Sequence, residues 1–332
     1  MGEGSTDTPQ GVGRGGGEAI HVPVLLQEAI DFLNLRRGGT YIDATVGLGG
    51  HSYEIAKRLG APGHLIGVDK DPHALEVARG RLVVGPRSSV VGEGKMGRPT
   101  VDQQRPVEDW PTITLLNRSF ADLANDPRPA TIDGLLADLG VSSLQLADAT
   151  RGFSFQAEGP LDMRMDPQSE RTAEQVVNHL DERELADVIY EFGEERRSRR
   201  IARAIVRSRP IRTTAQLAEI VSAAARPMNS EERRIHPATR TFQALRIFVN
   251  RELDDLKALL EAAPRILKPG GRIVVISFHS LEDRIVKDAF REGEKKYRYY
   301  RVLTKKPVTA SDEESDRNPR ARSAKLRAAE RV

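Results

Sequence analysis

Apolar positions along the chain follow two alternating rhythms as far as residue 138. Short β-branched and aliphatic runs predict buried strands at Tyr41-Ile42 with Ala44 to Val46, His64 to Asp69, Ile113 to Leu116 and Ile132 to Asp138. Helical spacing lies between them: Glu28, Ala29, Ile30 and Leu33; then Ile55, Ala56 and Leu59, stopped by Gly60; then Ala74, Leu75, Val77 and Ala78 after Asp71-Pro72. Strand and helix in alternation predict an α/β fold with a parallel sheet. Beyond Asp138 the alternation stops for about a hundred residues. Helical patterns over Ala173–Leu180, Glu182–Tyr190, Glu194–Arg207 and Thr214–Ala225 predict a helical insertion there. The α/β rhythm resumes with a long helix from about Ala238 to Ala262, ended near Pro264. The strand Arg272–Ser277 follows the Pro269-Gly270-Gly271 turn. The division expected is 20–141 and 244–332 for the sheet domain and 142–243 for the insertion.

Composition changes this picture at its margins. Residues 1–19 are Gly-rich and polar and are expected to be disordered. Between Gly85 and Pro111 the pattern dissolves into Gly, Pro, Ser and charge, which reads as a surface excursion. The 332 residues include no cysteine, which excludes a disulfide framework, a thiolate zinc site and a Cys nucleophile. No apolar run reaches the length of a membrane span and no signal-peptide pattern opens the chain, so a cytoplasmic protein is expected. Net charge is +3, a pointer to polyanions only where the charge is clustered. Arginine dominates one predicted helix: Arg199, Arg200, Arg203 and Arg207 recur at helical spacing within the insertion. Such a stripe is either a solvated face or a grip on RNA phosphates. The last residues, from Ser311, begin acidic and end basic.

The chemistry concentrates in Thr40 to His51. The apolar run there ends at Gly47, Gly49 and Gly50, and a helix follows, so strand, glycine loop and helix present backbone N–H groups to a ligand. Asp69, at the end of the second strand, is placed to accept hydrogen bonds from ribose hydroxyls. The glycines lack the regular dinucleotide spacing, and Asp43 stands just before them. A carboxylate there suits an amino group and a sulfonium better than a pyrophosphate, which favours S-adenosylmethionine over NAD. A structural glycine turn with a surface Asp is the alternative. Asp138-Leu139-Gly140 leaves the end of the fourth strand, and Phe120 follows the third, so several groups converge on one sheet edge. His279-Ser280 has no Gly-x-Ser-x-Gly elbow to expose the serine, which sets a hydrolase aside. His51, His236 and His279 lack metal-ligand spacing, so no metal is expected.

Taken together, several stretches resemble the bacterial 16S ribosomal RNA cytosine-N4 methyltransferase family. They are His21–Val24, Asp43–His51, Asp138–Ser143 with Gln145, Arg151–Phe155, Gly159–Asp166, His236–Ala244, Ser277–Arg284 and Asn318–Ser323. The resemblance implies a class I, Rossmann-like methyltransferase fold whose helical insertion receives RNA. It implies S-adenosylmethionine contacts at Gly49, Gly50, His51, Asp69, Phe120, Asp138 and Gln145, beside Asp43 and Gly47 of the loop. It also implies a cytidine of 16S RNA in the decoding-centre region of the small ribosomal subunit as substrate. Phe153 or Phe155 is then expected to stack on the target base. Asp162, Arg164, His236, Arg240 and His279 are expected toward the RNA. Asp138 is the expected catalytic group, near enough in topology to serve the cofactor, the base or both; the Pro-Pro-aromatic motif of most amino-methylating enzymes is absent, so the assignment is not borrowed from them. A methyltransferase for proteins or small molecules, and a non-catalytic assembly factor keeping the fold, are the competing readings. The residues do not specify an oligomeric state.

Overall fold

The computed structural model describes residues 23–82, 109–125, 131–225 and 236–332. The tail of residues 1–19 and all but the last three residues of the 85–111 excursion lie outside them. Four strands follow the predicted buried runs: β1 (Thr40–Asp43), β2 (His64–Asp69), β3 (Thr112–Asn117) and β4 (Ile132–Asp138). Only β1 is shorter than its apolar run, because Ala44 to Val46 already turn into the glycine loop. Helices α1 (Leu26–Leu33), α2 (Gly50–Leu59) and α3 (Pro72–Leu82) supply the apolar stripes read from the sequence. With β5 (Leu267–Ser277), β6 (Tyr300–Val302) and β7 (Lys325–Arg331) the strands form a seven-stranded sheet in the order β3-β2-β1-β4-β5-β7-β6. The first five are mutually parallel, and β7 runs antiparallel between β5 and β6.

Two apolar layers cover the sheet. One packs α1 and α2 against Tyr41, Leu65, Leu136 and Val274. The other packs α10 (Glu252–Ile266) and α11 (Ser280–Lys295) against Ile42, Ile66, Leu135 and Ile273. Between β4 and α10 lie α4 (Ser143–Ala147), α5 (Ala173–His179), α6 (Glu182–Gly193), α7 (Ser198–Arg207), α8 (Thr214–Ala224) and α9 (Thr239–Asn250). Helices α5 to α9 share a third core, which continues past residue 243 through Leu245 to Val249.

Three expectations are corrected. The helix expected over 238–262 is two helices broken at Arg251, whose φ is +55°. The break lets Phe242, Leu245 and Val249 face the helical core while Leu256, Leu259 and Leu260 face the sheet. The second helix ends at Ile266, near Pro264 as expected, with Pro264 in its last turn. The strand before Ser277 starts at Leu267, its Pro-Gly-Gly turn absorbed as an irregularity in the pairing with β4. The basic end of the chain is β7, in the sheet rather than a tail. Its charges are paired: Arg327, 6% exposed, forms a two-point ion pair with Asp283, and Glu330 meets Arg272 and Arg301.

Candidate active site

The C-terminal ends of β1, β2 and β4 open into a cleft, where ligands bind in open parallel sheets. Asp69 stands at its wall, Oδ2 accepting the Gly47 N–H at 2.8 Å and Oδ1 the Asp71 N–H at 2.9 Å. Each oxygen keeps a further lone pair for a ligand hydroxyl. Burial lifts the Asp69 pKa to about 6, which those backbone donors only partly oppose. Phe120, Gly47, Gly50 and His51 line the same cleft. Gln145 lines it too, held by a capping box with Ser142 and by a 2.8 Å hydrogen bond to the buried Asp71.

Asp138 ends β4 at the floor of the cleft. Its backbone N–H donates to Thr45 Oγ1 at 2.6 Å, and its Oδ2 lies 3.6 Å from His51 Nδ1. His51 is oriented by a 3.1 Å hydrogen bond between Nε2 and the Val24 carbonyl. The other carboxylate oxygen of Asp138, Oδ1, is buried without a hydrogen-bond partner among the described residues. Burial, opposed by the Arg320 charge and reinforced by Asp43 and Glu282, lifts the Asp138 pKa to about 7.

Residues 18–95 and 99–332 match the MraW methylase family, nearly the whole chain. Over 318 residues the chain is 68% identical to "Ribosomal RNA small subunit methyltransferase H" of Koribacter versatilis, across 96% of both proteins. To the protein of that name from Acidobacterium capsulatum it is 61% identical over 311 residues, covering 94% of this chain and 98% of the other. The chain belongs to the MraW methylase family. Its sheet is the Rossmann-like sheet of methyltransferases dependent on S-adenosylmethionine, and that molecule is its cofactor. The cleft suits such a group, because Asp69 keeps acceptors for ribose hydroxyls and Gly47, Gly50 and Phe120 line the cleft beside it.

In this methylase two residues of the glycine loop stand elsewhere than expected. Asp43 does not line the cleft; buried behind the loop, it accepts the Ser52 hydroxyl at 2.5 Å and the Thr45 N–H at 3.1 Å. Gly49, at φ +76°, turns its missing side chain toward α3, where a Cβ would lie 3.3 Å from the Ala78 Cβ. Its place is the junction of loop and helix.

The expected RNA contacts divide in the same way. Phe153 is 7% exposed within the helical core, so it cannot receive a base as a free platform. Phe155 stacks on the exposed His236 ring at 4.5 Å and meets Phe242 edge-on. Asp162 and Arg164 bind each other through two 2.8 Å hydrogen bonds, and Arg164 also donates to the Pro167 and Ser169 carbonyls. That pair staples its own loop. Asn250 then ties the loop to α9 by taking the Met165 N–H and donating to the Met163 carbonyl, each at 2.7 Å. Met165 thereby reaches the cleft. Arg199, Arg200, Arg203 and Arg207 are all exposed on α7, with Ile201, Ala202 and Ile205 buried beneath. Arg203 alone of the four has a described carboxylate partner, Glu182 at 3.2 Å. Arg240 is half exposed, 3.9 Å from Glu195, and His279 caps α11 against Glu282.

Sequence reasoning missed Lys70, Glu252, Asp255, Glu282 and Arg320 in the cleft lining. Lys70 is ion-paired with Asp255, and Glu252 holds the half-buried Arg246 through bonds of 2.8 and 2.9 Å. Glu282 is 2% exposed and accepts the Phe278 N–H; burial works against its charge, but His279 and Arg246 hold its pKa below the ordinary value. Arg320 donates to Ser143 Oγ and the Val141 carbonyl, holding the loop after Asp138. Glu282 and Arg320 lie within stretches that carry the family resemblance; Glu252 and Asp255 fall inside the single helix that the sequence predicts over 238–262 and carry no signal of their own there.

Proposed function

We propose that this chain methylates the exocyclic N4 of a cytidine in 16S ribosomal RNA, in the decoding-centre region of the small subunit, acting in the cytoplasm where subunits are assembled. Ribosomal RNA of the small subunit is the coarser substrate, which follows from membership of the family and from the name its relatives carry at 61–68% identity. The observation that carries the finer reading is Asp138 Oδ1, a buried carboxylate oxygen without a hydrogen-bond partner among the described residues, at the end of a central strand.

The N4 lone pair of cytosine is delocalised into the ring, so attack requires that nitrogen to become tetrahedral and to gain positive charge. Bound S-adenosylmethionine supplies a methyl carbon on a cationic sulfur. Asp138 Oδ1 accepts an N4–H, aims the lone pair, and stabilises the charge that develops on nitrogen. Once nitrogen carries the surplus proton, the same oxygen takes it, and a pKa about 7 suits that exchange. His51 faces the other oxygen of the carboxylate at 3.6 Å and forms an ion pair with it when the imidazole is protonated. Asp69 and the Gly47 loop hold the cofactor, and Arg320 holds the loop that follows Asp138. The target base must leave its stack to reach this floor. On the helical side, the exposed His236 on Phe155 and the α7 arginines are the RNA contacts we assign.

The test is to offer labelled S-adenosylmethionine with unmodified small subunits, naked 16S RNA, ribosomal proteins and a metabolite pool. Label in RNA of the subunit supports the assignment. Label in protein or metabolites overturns it. Cofactor binding with no transfer to any pool identifies an assembly factor instead.

A further inference from the structure

Far from the cleft, the turn from α11 into β6 carries the sequence Lys295-Lys296-Tyr297-Arg298-Tyr299-Tyr300-Arg301. Arg298 adopts φ +56°, a conformation that L side chains seldom take. This brings the neighbouring tyrosines to one side: the Tyr297 and Tyr299 rings stack at 5.5 Å with 5° between their planes. Tyr299 meets Tyr300 edge-on at 4.9 Å, and Tyr300 meets Phe290 at 5.6 Å, so a ladder of rings climbs from the core to the surface. Gly293 in α11 makes room for it, since a Cβ there would lie 2.6 Å from Tyr300 and 2.8 Å from Tyr299. The outermost ring, Tyr297, is 51% exposed.

An exposed ring fixed on a ladder is a stacking surface, and its setting is cationic. Lys295, Lys296 and Arg298 are exposed around it, and among the described residues none lies within 4.0 Å of a carboxylate. Lys296 Nζ sits 4.8 Å over the Tyr297 ring. Glu292 and Glu261 reach Tyr299, and Glu292 reaches Lys296 as well, while Lys295 and Arg298 stand beside them without a carboxylate within 4.0 Å among the described residues. Aromatic rings among lysines and arginines suit unpaired nucleotides: every base has a face to stack, and every linkage a charge to pair.

We propose that Tyr297, with Lys295, Lys296 and Arg298, is a second RNA-contact surface that stacks an unpaired base of the small-subunit RNA. It rests on the RNA reading above and extends it to a distant part of the molecule. Glu282 lines the cleft near the start of α11, and at 1.5 Å per residue the helix carries the chain roughly 20 Å away by Lys295. The surface therefore holds RNA apart from the methylated nucleotide and raises affinity for the subunit rather than the rate of transfer.

The experiment measures binding of small subunits and of a short single-stranded RNA across a salt series. Tyr297→Ala should weaken binding about 5- to 20-fold, the lower part of the range for one stacked base. Tyr297→Phe, which keeps the ring, should restore it. The triple variant Lys295→Gln, Lys296→Gln, Arg298→Gln should flatten the salt dependence by about 0.7 of log–log slope for each lost contact. Cofactor affinity should not change. Unchanged affinity and slope in folded variants would overturn the proposal and leave these cations as guards of the β6 edge. A parent protein that binds neither subunits nor RNA would overturn the RNA reading itself.

Discussion

Replacing Asp138 by Asn should stabilise the cofactor-free protein and cripple the enzyme. The side chain is 18% exposed, one oxygen is unpartnered, and burial has moved its pKa from the ordinary value near 3.8 to about 7. A raised carboxyl pKa means that the folded state binds this proton more tightly than the unfolded state does. Its contribution to stability is therefore intact below about pH 4 and is lost as pH rises through the interval from about 4 to about 7. Three units at about 1.4 kcal/mol each give roughly 4 kcal/mol, and partial solvation brings the expected cost to about 2–4 kcal/mol at pH 8. Asn fills the same space without the charge. Urea unfolding of the cofactor-free proteins should show Asp138→Asn more stable by that margin at pH 8 and nearly equal to the parent at pH 4. Methyl transfer should fall about 10²- to 10³-fold, as when one charge-stabilising group is removed from a preorganised site. A variant no more stable than the parent at pH 8, or one that transfers methyl normally, would refute the reasoning.

The same pKa predicts that kcat/KM for the cofactor rises with pH and levels off above about 7, as Asp138 ionises in the free enzyme; a flat profile from pH 5.5 to 8.5 would contradict it. Asp69→Ala should weaken cofactor binding by roughly 1.5–3 kcal/mol, the range for hydrogen bonds to a charged group, and calorimetry on the folded variant checks this. Gly49→Val should lower the urea midpoint, by about 1–3 kcal/mol of stability, because a side chain at φ +76° is strained and meets Ala78. Gln at Arg199, Arg200, Arg203 and Arg207 together should weaken subunit binding and flatten its salt dependence, by at most about one unit of log–log slope per arginine, while cofactor affinity holds. An unchanged slope would return α7 to a solvated face.

The buried strands were legible because parallel strands covered on both faces read as apolar runs, and β2 and β4 have the bounds their runs predict. The glycine loop, Asp69 and Asp138 were legible because they follow those runs directly. Strand β7 was not, since Arg327 is buried against Asp283 and Arg331 donates to the Pro264 carbonyl, partners far away in sequence. The break at Arg251 was hidden for a similar reason: only the competing demands of two cores put an arginine in a left-handed turn. Asp43 and Arg164 have the right chemistry for a ligand. Spacing does not reveal that one faces Ser52 behind the loop and the other folds back onto Asp162.

The most direct test is the identity of the modified nucleoside. Small subunits methylated with labelled cofactor by the parent protein, digested to nucleosides and resolved against standards, should carry the label as N4-methylcytidine. The label should fall about 10²- to 10³-fold when Asp138→Asn replaces the parent. Label in 5-methylcytidine, in a methylated purine or in the ribosomal proteins would contradict the assignment of Asp138 Oδ1 to the amino group of cytosine.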